Sequence, residues 1–224
     1  MKPARSMCLS CNSIIKFYDN IPVLSYLWLR AKCRNCGHPI SFRYPMVEII
    51  SGFAALCVLI KFGISFESIV YYGFIASLLV ITFIDIDHRI IPDVITLAGI
   101  PVFFLTAMGI SELGLKNSFI GILAGGGSLF LVALVYNLIT KKEGMGGGDI
   151  KLLAMIGALT GWQGVVFTIF LSSLIGTLAG LIIMMKTQKG MNIAVPFGPF
   201  LSIGSITYIF FGQQIIQWYF GMLS

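Results

Sequence analysis

Nine carboxylates occur in 224 residues, and four fall in two short segments bordered by long apolar stretches: Asp85, Asp87 and Asp93 in FIDIDHRIIPD, and Asp149 in GMGGGD. Acids at the edge of an apolar helix are costly to place and mark functional sites by default. Two carboxyl groups that meet are equipped for general acid–base chemistry, one ionised to activate water and the other protonated to polarise a carbonyl. Asp85 and Asp87 are two residues apart, about 200° around a helix, so only one of them points into a shared site. Asp93 follows Pro92 and precedes VITLAG, which reads as a helix cap. For Asp149 the spacing leaves two readings open, a cap of the helix that follows or a catalytic acid. Gly146, Gly147 and Gly148 favour the second, since three residues without side chains let another backbone or an extended substrate approach the carboxylate. One acid of the Asp85–Asp87 segment can therefore meet Asp149 at a shared site, with Asp85 a candidate for that place.

Four of the five cysteines form a second constellation, Cys8-x-x-Cys11 and Cys33-x-x-Cys36, separated by 21 residues. Two intervening residues let both sulfurs of a pair reach one tetrahedral ion, and the spacing between pairs is that of four-thiolate zinc sites. The other reading is two disulfides, which do not persist in a reducing cytoplasm. Four thiolates close the coordination shell, so the expectation is structural Zn²⁺ held by Cys8, Cys11, Cys33 and Cys36. The cluster would carry a double negative charge, which Lys32 and Arg34 are placed to offset. His38 reads as a neighbour rather than a ligand, and Cys57 as a small packing residue within a helix.

The elements that must position these groups are membrane helices. Hydrophobic residues make up 57% of the chain and charged ones 11%, too apolar a balance for the surface of a small soluble domain. The 25 glycines lie inside apolar stretches, where membrane helices tolerate them. Residues 1–45 are polar and carry seven of the fifteen Lys and Arg residues, which predicts a compact extramembrane domain, with residues 46–224 embedded in the lipid bilayer. Apolar stretches at 46–60, 67–84, 93–110, 118–139, 150–161, 163–185 and 199–222 predict about seven transmembrane helices, an all-α polytopic fold. The twelve residues of 150–161 span about 18 Å, short of a hydrocarbon core of about 30 Å. That stretch must be shielded by neighbours, or it and 163–185 are divided differently. If 1–45 is cytoplasmic and the two stretches are separate crossings, thirteen Lys and Arg residues face the cytoplasm and only Lys61 and Lys116 the other side.

Together these segments resemble the type IV prepilin peptidases, a family of intramembrane aspartyl proteases of the Gly-x-Gly-Asp type. The resemblance rests on both Cys-x-x-Cys pairs, YDNIPVLSYLWLRAKC between them and RYPMVE at 43–48. It continues through FIDIDHRIIPD, EGMGGGDIKLLAMIGALTGWQ and PFGPF at 196–200. It implies a bifunctional enzyme of the bacterial inner membrane that cleaves leader peptides from prepilins or pseudopilins of type IV pili and type II secretion. It further implies N-methylation of the new terminus with S-adenosylmethionine, with Asp85 and Asp149 as the catalytic aspartates and a zinc-bound cytoplasmic domain. No nucleic-acid partner is expected. Family members open with a helix bearing a Gly-Ser-Phe-Leu-Asn-like motif and an Arg-Leu-Pro exit, and this chain starts at the equivalent of that exit, so the expected fold lacks the first family helix. Two other readings of the residues are an ion-coupled transporter, in which intramembrane acids relay ions, and a catalytically silent scaffold whose zinc domain binds partners.

Overall fold

In lipid every backbone N–H and C=O must be paired within the chain, and helices meet that demand segment by segment. The computed structural model is accordingly helical, and it describes residues 6–110, 113–141, 146–187 and 196–223. Lys2, Arg5, Lys142, Lys189 and the 143–145 part of the glycine segment, all used in the sequence reading, lie outside the described residues. The helices are α1 (Leu24–Trp28), α2 (Arg43–Phe62), α3 (Phe66–His88), α4 (Asp93–Thr106), α5 (Gly114–Thr140), α6 (Gly147–Thr187) and α7 (Gly198–Leu223). Five of them, α2, α3, α5, α6 and α7, are long and apolar enough to cross a membrane. The chain divides into two compact units, Met1–Ile60 and Lys61–Ser224.

The first unit holds two similar knuckles, a 3-10 turn (Phe17–Asn20), α1 and most of α2. Each knuckle closes by the same pair of backbone bonds. Asn12 N–H donates to Cys8 O and Cys8 N–H to Ser13 O, while Gly37 N–H donates to Cys33 O and Cys33 N–H to His38 O. Asn12 and Gly37, four residues after the leading cysteine of their pairs, both take left-handed backbone, with φ of 53° and 69°. Asn and Gly are the residues that adopt it at least cost.

The second unit is a bundle of helices. α3 and α4 are antiparallel and meet through Phe74 and Phe103, edge to face at 5.0 Å. α6 runs for 41 residues, about 61 Å if straight and twice a hydrocarbon core, but at Gly161 the backbone turns to φ 68°, ψ −178°. Its first arm, 147–160, runs antiparallel to α5, with Gly125 against Leu153 and Gly121 against Gly157. Its second arm, 162–187, runs antiparallel to α7: Gly164 lies against Tyr208, and the Ser172 hydroxyl donates to Phe200 O at 3.1 Å. Both ends of α6 therefore lie at the end of the bundle where α7 begins, and the chain reverses at Gly161. The two stretches expected at 150–161 and 163–185 are separate arms, as the charge bias requires. The first arm spans about 21 Å, and every residue from 152 to 161 is buried. Shielding by neighbours is thus how so short a helix is accommodated.

Candidate active site and thiolate cluster

α3 ends where Arg89 adopts left-handed backbone (φ 55°) and donates its N–H to Asp85 O at 2.8 Å. That closure puts Asp85 in the last turn, buried at 5% exposure, and leaves Asp87 exposed. Only one of the pair points inward, as the helical angle between them demands. The N-terminus of α7 completes the surroundings: Gly198 N–H donates to Asp85 Oδ2 at 3.0 Å. A side chain at Gly198 has no room, since its Cβ would lie 2.6 Å from the same oxygen.

Asp149 approaches from α6. The helix starts at Gly147, so Asp149 is its third residue rather than its cap, and the acid lies in the first turn, where the helix dipole favours negative charge. Ile91, in the loop between α3 and α4, joins the two halves of the site. Its side chain lies beside Gly198, and a Cβ on Gly148 would come within 2.9 Å of Ile91 Cβ. Gly148 and Gly198 thus let the Asp149 and Asp85 segments close on the same side chain. Among the described residues nothing lies within 4 Å of a Cβ built on Gly146 or Gly147. A cavity of about 280 Å³ lined by Ser173, Gly176, Thr177, Phe197 and Phe200 lies next to Gly198. A second, of about 450 Å³, lies at the opposite end of the bundle around Gly161 and Tyr208, away from the carboxylates.

Asp93 corrects the sequence reading. It is the first residue of α4, but Pro92 occupies the cap position and no side chain caps the helix. The Asp93 carboxylate instead accepts from Lys151 Nζ at 2.7 Å, tying α4 to the first arm of α6 two residues from Asp149. Sequence reasoning missed this pair because its members are 58 residues apart. It also missed Gly198, whose only signal was a glycine set between aromatic residues in PFGPF.

In the first unit the sulfur atoms of Cys8, Cys11, Cys33 and Cys36 lie within 4.8 Å of one another, and among the described residues these four form the cluster able to hold a metal ion. Cys8 Sγ and Cys36 Sγ are 3.9 Å apart. Tetrahedral zinc with thiolate bonds of about 2.3 Å separates its sulfurs by roughly 3.8 Å, so the donor set fits. No disulfide joins them. Backbone N–H groups of Cys36 and Asn35 pull the Cys33 thiol down to about 6, and the Ser13 hydroxyl lowers Cys11. Both shifts favour the thiolate, the form that ligates metal, whereas burial and the neighbouring thiols push Cys36 up to about 11. Arg34, in the second knuckle, has a carboxylate partner of its own. Its guanidinium forks onto Asp19 at 2.8 and 2.5 Å and holds that carboxyl below the usual range. A bidentate fork is the stronger use of a guanidinium.

Fold and sites define a polytopic α-helical membrane protein with a metal-capable thiolate cluster in one unit and two neighbouring aspartates at one end of a helical bundle in the other. The chain belongs to the type IV leader peptidase family. It matches that family over residues 72–181 and the bacterial peptidase A24 N-terminal domain over residues 1–62. Similar proteins include the prepilin leader peptidase/N-methyltransferase of Pseudomonas putida, 38% identical over 94% of this chain and 73% of the relative. That of Aeromonas hydrophila is 37% identical over 96% and 74%, and that of Legionella pneumophila 34% identical over 97% and 76%. No solved structure matches the chain.

Proposed function

We propose that this protein cleaves the leader peptides of type IV prepilins or pseudopilins at the cytoplasmic face of the inner membrane, with Asp85 and Asp149 as the catalytic pair, and N-methylates the new terminus. The observation that carries the peptidase reading is the convergence of Asp85, Gly198, Ile91, Gly148 and Asp149 at one end of the bundle. Family membership and the names of the relatives support it. The aspartates act with one proton between them: one carboxylate takes a proton from the attacking water while the protonated partner donates to the scissile carbonyl, and the roles reverse as the amine leaves. Gly198 N–H orients the Asp85 carboxyl, and Gly146 and Gly147, which have no side chains, admit the extended substrate.

The cytoplasmic assignment rests on charge. Arg89, Lys141, Lys151 and Lys186 lie at the end of the second unit that holds the aspartates, and Lys61 and Lys116 at the other. The methyl donor of this reading is S-adenosylmethionine, which supplies an electrophilic methyl group. Neither cavity described above is lined by a carboxylate able to hold its amino or ribose groups, so no described residue is assigned to it and no step is derived through it. The thiolate cluster is a structural Zn²⁺ site in a cytoplasmic domain spanning 1–45, its four-sulfur shell closed to substrate.

The test is incubation of the purified enzyme with a prepilin, followed by mass spectrometry of the product terminus. Removal of the leader and a gain of one methyl group support both activities; an intact prepilin with wild-type enzyme refutes the peptidase. In the same assay Gly198→Ala should lower kcat by about tenfold or more with little change in KM, because the new methyl displaces the orienting N–H and the Asp85 carboxyl together. Wild-type turnover in that variant would remove Gly198 from the site. Metal analysis should give about one zinc per chain, and Cys33→Ser should lose it together with thermal stability. Disulfides among the four cysteines in protein purified from the cytoplasmic membrane would exclude the zinc site.

A further inference from the structure

Two contacts pin α1 to the membrane entry of α2. The backbone N–H of Val23, just before α1, donates to Glu48 Oε2 at 2.8 Å, and the Tyr26 ring meets Phe42 edge-on with centroids 6.4 Å apart. Glu48 is the sixth residue of α2, about 7.5 Å along the axis from Arg43. α2 is a membrane-length helix that opens on Arg43 and Tyr44, so these contacts tie α1 to the first two turns of a membrane-length helix.

α1 sets Leu24, Leu27 and Trp28 at i, i+3 and i+4, on one face. They are exposed by 64%, 66% and 83%, and Phe17, in the 3-10 turn that packs beside α1, by 87%. Four large apolar side chains so exposed are out of place in water and mark an interaction surface. The charge around them selects the occupant. Lys16, Arg30 and Lys32 flank these residues in the sequence, and Asp19, the one acid of residues 6–42, is committed to Arg34. Leucine and tryptophan flanked by lysine and arginine is the composition that lies in the plane of an anionic membrane surface.

We propose that this face is an interfacial anchor seated in the anionic phospholipid headgroup layer, with Glu48 setting its depth. The thiolate knuckles on either side of it are thereby held at the membrane surface.

The experiment uses the full chain in nanodiscs of phosphatidylcholine and phosphatidylglycerol whose acyl chains are brominated near the headgroup or near the bilayer centre. The difference in emission between the wild-type protein and Trp28→Phe isolates Trp28 from Trp162 and Trp218, and a Trp162→Phe/Trp218→Phe protein reads the same signal directly. Trp28 emission should be lost more to shallow than to deep bromines, matching burial of about 5–10 Å. Glu48→Ala should diminish that loss, whereas Glu48→Gln, which keeps an acceptor oxygen, should preserve it. Trp28 emission indifferent to brominated lipid overturns the proposal: strong acrylamide quenching would then put the face in water, and weak acrylamide quenching under another protein surface or a second copy. Undiminished quenching in Glu48→Ala would remove Glu48 from the role of setting depth.

Discussion

Asp149→Asn protein is expected to insert and fold as the wild type does and to cleave prepilin at no more than about a thousandth of the wild-type rate, with Asp85→Asn showing the same loss. The substitution keeps the size of the side chain. In Asp85→Asn the amide oxygen can still accept from Gly198 N–H, so the bond that places the side chain survives and the loss is chemical rather than structural. Each variant removes a group that must both take and give a proton, and a pair that shares one proton cannot work with one member. The double variant should therefore be little worse than either single one, since residues that act as a unit are not additive. Asp93→Asn is the control. It weakens an ion pair with Lys151 whose side chains are 56% and 36% exposed, worth about 0–1 kcal/mol, so most activity should remain. Initial rates on a prepilin substrate, with melting in detergent to confirm folding, decide the matter. Full activity in Asp149→Asn would sink the assigned pair.

The distinction between Asp149 and Asp93 shows what sequence can and cannot reveal in a protein of this kind. Lipid allows the backbone few choices, so the apolar stretches map directly onto helices, and even the short one at 150–161 was legible as an arm that needs shielding. The cysteine pairs were equally legible, because ligand spacing within a knuckle is local geometry. At the membrane surface the backbone and the polar side chains regain alternatives. Asp93 follows a proline and has the residue type of a cap, yet its partner is Lys151 on another helix. Asp149 was open to the same local reading until the structure placed the start of α6 two residues earlier. Arg34 stands in the second knuckle, but Asp19, fifteen residues back, offers it two oxygens. In each case the competing partner is brought in by tertiary packing, which neither spacing nor propensity encodes.

The largest stability effect is expected at the contact between α5 and the first arm of α6, whose burial carries Asp149. Gly121 and Gly157 face each other there, and a methyl group built on either would overlap the carbonyl oxygen of the other. The obstacle is backbone on both sides, so no rotamer relieves it and the helices must separate. Separation also weakens the bond from Ser118 Oγ to Ala158 O, 2.5 Å long and fully buried. In lipid, helix association depends on close packing of small residues rather than on a hydrophobic drive, so the lost contact has no substitute. Gly157→Ala should destabilise the protein by about 1–3 kcal/mol or more, the usual cost of overpacking, and lower activity by shifting the arm that starts at Asp149. Gly127, on α5 with nothing within 4 Å of a built Cβ, is the matched comparison. Gly127→Ala should melt at or slightly above the wild-type temperature, because alanine loses less backbone freedom in a helix. If thermal unfolding in one detergent gives both variants the same midpoint, the effect is glycine's propensity and not the contact, and the close approach of α5 to α6 does not hold the site together.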